Sequence, residues 1–292
     1  MTQLVQALAL GLLIGGVYAL MASGLTLIFG VMHIINIAQG AFLVLVAMVT
    51  WWLWRATGID PILASVVTTP LMFGFGWVVY RLLISRIRGQ SPSMSVLLTF
   101  GLALLIEGVL NVVAGNKFKS AAPSYFEESF RLGSISLPKT QVYGFLAAVS
   151  VLAVMYAVLT RTWTGRAIRA SSQNPSGAAL VGVGAASTAA LAFAIGSATT
   201  GVGGSILSVL YPFFPASHYD WISRVLGIVV LGGMGSLPGA MVGALVLGLA
   251  ETLTATYISL QWSTLVFYLV IMLVLLFRPQ GIFGAKLRED AA

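Results

Sequence analysis

The chain has 292 residues, of which 59% are hydrophobic and 8% charged, and its mean hydropathy is +0.99. Soluble domains carry about 25% charged residues, so the composition excludes one and points to a polytopic, all-α transmembrane helical bundle. The net charge of +7 sits in connectors without interleaved aromatics, which excludes a nucleic-acid interface, and the lack of cysteine excludes disulfides and thiolate metal sites.

The first predicted span covers residues 4–29. It has no basic segment before it, so it reads as a span and not as a cleavable signal. Gly11 and Gly15 lie one turn apart and give it a small face for a close helix neighbour. Residues 30–35 form a break that holds His33. The second span, 36–54, opens polar with Asn36, Gln39 and Gly40 and closes on Trp51, Trp52 and Trp54, which fits an interfacial aromatic belt. Asn36 and Gln39 fit either the lining of a polar path or a helix cap. A turn at 55–61 leads to the third span, 62–84, and a basic stretch at 85–91. The fourth span, 94–113, carries Glu107 and Asn111. A polar loop at 114–139 precedes the fifth span, 140–159.

The longest polar stretch between apolar runs is 161–183, and the connector it forms extends to 186. It carries Arg161, Arg166 and Arg169 and no acid. Residues 166–172 suffice for two helical turns, and Asn174 or Ser176 can cap a second short helix. Such an arm is a handle for a cytoplasmic partner or an ordinary positive-inside loop. The sixth span, 185–210, is rich in Gly, Ala, Ser and Thr and should pack against protein more than lipid. A loop at 211–221 contains His218 and Asp220. The segment 222–257 is too long for one span and is broken at 232–239 by glycines and Pro238, so that two half-helices and a tight hairpin both fit. Gly235, Gly239 and Gly243 repeat at four-residue spacing, as expected of a smooth packing groove or of a broken helix whose dipole ends face a solute. The last span is 262–277. With zero or two crossings for 222–257 the total is seven or nine, about eight spans, in a single transmembrane domain, 1–292, with no separate soluble domain.

Arg81, Arg86, Arg88, Arg161, Arg166, Arg169, Arg278, Lys286 and Arg288 flank spans on one side. Arg55, Lys117, Lys119, Arg131, Lys139 and Arg224 flank them on the other. The richer side is expected to be cytoplasmic, which places the connector and the C-terminus inside and the N-terminus outside.

Chemistry is sparse. There is no GxxxxGK[ST] loop and no HExxH, and the two histidines are His33 and His218. No catalysis, cofactor or metal is expected. Glu107 and Glu251 are candidates for a translocation path, because an acid at membrane depth is costly.

Four stretches are then informative together: GGVYALMASGLTLIFGVMHIINIAQGAF near the start, TGRAIRASSQNPSGAALVGV in the connector, GIVVLGGMGSLPGAMVGALVLGLAE late in the chain, and RPQGIFG at Arg278 to Gly284. They resemble the inner-membrane permeases of branched-chain amino acid ATP-binding-cassette (ABC) importers, over nearly the whole chain. The resemblance implies a bacterial-type inner-membrane protein that forms part of the path for a branched-chain or other amino acid, or a related small polar solute. It implies a second homologous permease, two cytoplasmic ATPases and an extracytoplasmic solute-binding protein as partners. Carried over residue by residue, the ATPase-docking set is Gly165, Arg166, Arg169, Asn174, Ala178, Ala179 and Gly182. The family's Asn-x-Ala-x-Gly matches Asn36, Ala38 and Gly40. Two departures stand out: Gln39-Gly40-Ala41 where relatives often have His, Gly and an acid, and Gln173-Asn174 where they often have an acid. The rival reading is a stand-alone channel or secondary transporter.

Overall fold

The computed structural model describes residues 2–87, 91–133 and 135–284. Arg88, Lys286 and Arg288 of the charge count lie outside them. In hydrocarbon every backbone polar group must be satisfied within its own segment, and the apolar runs accordingly become helices. In chain order these are α1 (Thr2–Met32), α2 (Ala38–Thr57), α3 (Ser65–Leu82), α4 (Pro92–Ala114) and α5 (Lys139–Arg161). Then follow α6 (Trp163–Gln173), α7 (Pro175–Leu180), α8 (Ala185–Leu210), α9 (His218–Gly232), α10 (Leu237–Tyr257) and α11 (Leu260–Phe277). Eight of them are long and apolar enough to cross a membrane; α6, α7 and α9 are shorter. The fold is thus the expected helical bundle of about eight spans.

The loop before α5 holds one element that the polar reading of 114–139 does not anticipate. Strands β1 (Ser129–Leu132) and β2 (Ile135–Pro138) pair antiparallel, with Phe130 opposite Leu137. Residues 129–132 and 135–137 do alternate polar and apolar on either side of Gly133-Ser134, a hairpin signal that the loop's overall polar composition obscures.

The bundle is built around α8. In its most apolar stretch 83% of the residues are buried, against 17% for α11. Small residues make this possible: a side chain at Gly201 or Gly204 would run into the backbone of Thr69 on α3 or of Leu43 on α2. At that closeness hydroxyls bond across the helices. Thr50 Oγ1 and Ser205 Oγ are 2.9 Å apart, and Thr68 Oγ1 donates to Gly201 O at 2.8 Å. On the other flank α1 and α10 run antiparallel along a shared seam of small residues. A Cβ on Gly11 would sit 2.9 Å from the Leu249 backbone, and one on Gly15 would sit 2.9 Å from that of Leu245. The Gly11–Gly15 face is therefore filled by α10.

Of the two readings of 222–257, the tight hairpin is the one found. Residues 233–236 turn the chain, with Gly233 at φ 100° and Gly235 at φ 86°, a region costly for any other residue. Gly232 and Gly239 then meet backbone to backbone. Gly239 and Gly243 both face α9, but Gly235 lies in the turn against Gly30. The three glycines at four-residue spacing consequently do not form one groove, because the helix starts only at Leu237. The RPQGIFG segment folds back on the hairpin, with Ile282 N–H donating to Leu231 O at 2.8 Å and Phe283 N–H to Gly232 O at 3.0 Å.

Candidate functional site

The connector is a compact two-helix arm. Thr162 caps α6, its Oγ1 accepting from Gly165 N–H at 3.1 Å. Asn174 caps α7, its Oδ1 accepting from Gly177 N–H at 2.8 Å, and Pro175 follows at the first helical position. Asn174 and not Ser176 is the cap. Gly165 lies so close to the carbonyls of Val158 and Leu159 that no side chain fits, and this pins α6 to the end of α5. Ile168 and Ala178 are buried. Gly182 turns the chain at φ 82° before α8.

The opposite face of the arm is open. Arg166 and Arg169 are exposed, the guanidinium of Arg166 lying 5.5 Å from the centroid of the Trp163 ring. Asn174, Ala179 and Gly182 are also exposed. The expected docking residues therefore divide into exposed ones and two, Gly165 and Ala178, that shape the arm from within. Beside them stand Trp163 (71% exposed), Val181 (77%) and Leu180 (89%). Apolar side chains within an otherwise polar connector were the signal for these three.

A closed polar layer crosses the bundle where α2 begins. Asn36 and Gln39 are fully buried. Asn36 Nδ2 donates to Gln39 Oε1 at 3.2 Å, and Gln39 Nε2 donates to Gly196 O of α8 at 3.2 Å. The N-cap position of α2 is Ile37, with no side-chain cap, so the helix-cap reading of Asn36 and Gln39 does not hold. Instead Ile37 N–H donates to Thr99 Oγ1 of α4 at 3.1 Å. Gly40 is where α9 meets α2: a Cβ there would sit 2.8 Å from the Cβ of Ile222.

Neither intramembrane acid is alone. Glu107 Oε2 lies 2.9 Å from Nε2 of His218, which is not a loop residue but the first residue of α9. Glu251 Oε1 accepts from Arg224 at 2.8 Å, and Glu251 Oε2 accepts from the Tyr18 hydroxyl at 2.8 Å. Arg224 also donates to Tyr18 Oη at 3.1 Å, and the Tyr18 and Tyr211 hydroxyls are 3.3 Å apart. Arg224, counted above among span-flanking cations, is thus a partly buried ion-pair partner inside the bundle and carries no orientation information.

A bundle of eight span-length helices with a buried polar layer, paired charges at depth and an exposed basic arm is that of a multi-pass membrane protein. The family model described as "Branched-chain amino acid transport system / permease component" matches residues 7–275, and the chain belongs to that family. It is a multi-pass inner-membrane permease subunit of an ABC importer, a class that works with ATPase and solute-binding partners. Among its relatives is the high-affinity branched-chain amino acid transport system permease protein LivH of Escherichia coli strain K12, 29% identical over 94% of this chain and 93% of LivH. BraD of Pseudomonas aeruginosa, of the same description, is 29% identical over 96% of this chain and 95% of its own length. A probable LivH of Methanocaldococcus jannaschii is 27% identical over 92% and 89% respectively. No solved structure matches.

Proposed function

We propose that this chain forms part of the path for a branched-chain amino acid or a close relative, with a second homologous permease beside it. Two cytoplasmic ATPases grip the 161–186 connector, and an extracytoplasmic protein delivers the solute. ATP hydrolysis falls to the ATPases, and no catalytic step is assigned to this chain. The observation that carries the reading is mechanical. The arm with Arg166 and Arg169 runs through Gly182 directly into α8, and α8 carries the Gly196 carbonyl that holds Gln39.

Movement of the arm reaches the polar layer through one central helix. The layer of Asn36, Gln39 and Gly40 is the gate, and its opening requires that Gln39 leave Gly196. Glu107 and Glu251 flank the path and set the position of α9. Energy enters as a difference in how tightly the ATPases hold the arm in two states, since a partner that binds both equally shifts nothing. The Gly235–Pro238–Gly239 turn and Gly243 keep the α9–α10 hairpin tight while the rest moves.

The test is Arg166→Glu combined with Arg169→Glu. The protein should insert normally but lose ATPase co-purification and solute uptake. Normal co-purification of the ATPases with that variant would remove the docking assignment. Reconstituted alone, without ATPases, the chain should move no solute; transport in that state would favour a stand-alone carrier.

A further inference from the structure

Helix rise fixes the depth at which α9 begins. Glu107 stands seven residues before the end of α4 at Ala114, so it lies about 10 Å below that end. His218, the first residue of α9, bonds Glu107 and shares its depth. A second ruler agrees. The carbonyl of His218 and the Cβ of Ile222 abut Gly40 of α2, eleven residues and about 16 Å below Trp51 of the aromatic belt. α9 thus starts well inside a hydrocarbon layer that is about 30 Å thick.

His218 and Ile222 face α2, and residue 220, two positions from each, points the opposite way. Asp220 is exposed there, as are Tyr219 and Ser223. Glu107 of α4 lies against Tyr219 on one side, and Tyr268 of α11 lies against Asp220 and Ser223 on the other. A polar strip therefore runs from α4 across α9 to α11. The exposed surface that flanks it is apolar, with Leu105 on α4 and Leu265 and Leu269 on α11. Every other exposed charged side chain among the described residues stands at an end of a spanning helix or in a connector. Among the described residues Asp220 also has no ion pair; the acids that do are Glu107, Glu128 and Glu251. Its place in the first turn of α9 suits the helix dipole but does not hydrate its exposed oxygens. A charged side chain at this depth is costly in lipid and belongs in a water-filled cavity or against protein. Around Asp220 stand hydroxyl groups, and not the small-residue face that seats another helix in a membrane. Water is what such a strip takes.

We infer that the Tyr219–Asp220–Ser223 face of α9, between Glu107 and Tyr268, is the wall of a water-filled route, and that Asp220 sets its charge selectivity. A fixed negative charge at that point favours solutes that carry a positive group and turns away net anions. α9 then has two working faces. One closes on Gly40 of the polar layer, and the other is wet. The inference rests on the importer reading above and names the surface of this chain that lines the route.

The chain has no cysteine, so a cysteine introduced into it is the one thiol that can react on it. The test places the complex of this chain with its partner permease and ATPases in lipid nanodiscs, where water-soluble methanethiosulfonate reagents reach both faces. Tyr219→Cys and Ser223→Cys should be modified. Leu105→Cys and Val154→Cys, on exposed apolar faces, should react only after denaturation. At Tyr219→Cys a trimethylammonium reagent should outrun a sulfonate reagent about fivefold, each rate taken relative to that with a free thiol. Asp220→Asn should lower this ratio about threefold or more, because a fixed charge acts oppositely on the two reagents. If Tyr219→Cys and Ser223→Cys react only after denaturation, lipid or the partner permease covers the strip and the inference is overturned. A ratio that Asp220→Asn leaves unchanged overturns the selectivity role of Asp220. Docking is read from ATPase co-purification with unmodified protein, and this surface from modification of the assembled complex, so that either can fail alone.

Discussion

Glu107 and Glu251 pose the same physical problem and are solved in different ways. Each is a carboxylate inside a spanning helix, with side-chain exposures of 18% and 14%. Glu251 faces Arg224, which is charged at any working pH, and the Tyr18 hydroxyl occupies its second oxygen. Tyr18 is on α1, Arg224 on α9 and Glu251 on α10, so this cluster clamps three helices together. Glu107 faces His218, which is charged only when protonated, and the bond joins α4 to the first residue of α9. The middle of α9 is therefore held by a permanent ion pair and its first residue by a conditional one. The first is a fixed point and the second a point that can let go.

The largest expected effect comes from breaking the fixed point. Arg224→Met leaves Glu251 buried without its cation and should cost about 3–5 kcal/mol, the usual penalty for stranding one member of a buried pair. It would be read as a fall of several degrees in the unfolding midpoint of the detergent-solubilised protein. Adding Glu251→Leu should recover most of the loss, because two apolar residues of similar volume no longer strand a charge. A single variant as stable as wild type would dissolve the contrast between the two acids.

A smaller effect is expected at the start of α9. Glu107→Gln keeps a hydrogen bond to His218 and should cost about 1 kcal/mol, with normal expression. Its mark should appear in uptake kinetics instead, since the bond between α4 and α9 no longer involves a carboxylate. Unchanged kinetics would reduce Glu107 to a structural acid. The smallest effect is expected at the edge of the clamp. Tyr211→Phe removes only the 3.3 Å contact with Tyr18, and a loss of about 0.5 kcal/mol or less is expected in the same unfolding measurement. A larger loss would mean that Tyr211 is part of the clamp and not peripheral to it.

The spans were legible because a long apolar run has one way to satisfy its backbone in lipid. The hairpin at 232–239 was legible as a break, through Pro238 and its glycines, but not as a hairpin. The choice rests on Gly232 meeting Gly239, a contact between helices. Asn174 was legible only as one of two cap candidates, with Ser176, because both residue types cap helices; the bond from Gly177 N–H decides for Asn174. Asn36 was ambiguous for the same local reason. It stands one residue before the N-cap position of α2, and only its bond to Gln39 shows that it turns inward. The partners of the acids were hidden: His218 lies 111 residues from Glu107, and no pattern along the chain links them.

The sequence by itself determined a membrane-spanning helical protein of about eight spans, the polar arm, and the family, because each follows from local composition or short motifs. Only the tertiary structure decided that α8 is the axis, that Gly11 and Gly15 receive α10, and that two isolated-looking acids are paired. Those outcomes depend on which helix surfaces come within a few ångströms of one another, and packing of many small faces at once, not any one segment, fixes that choice.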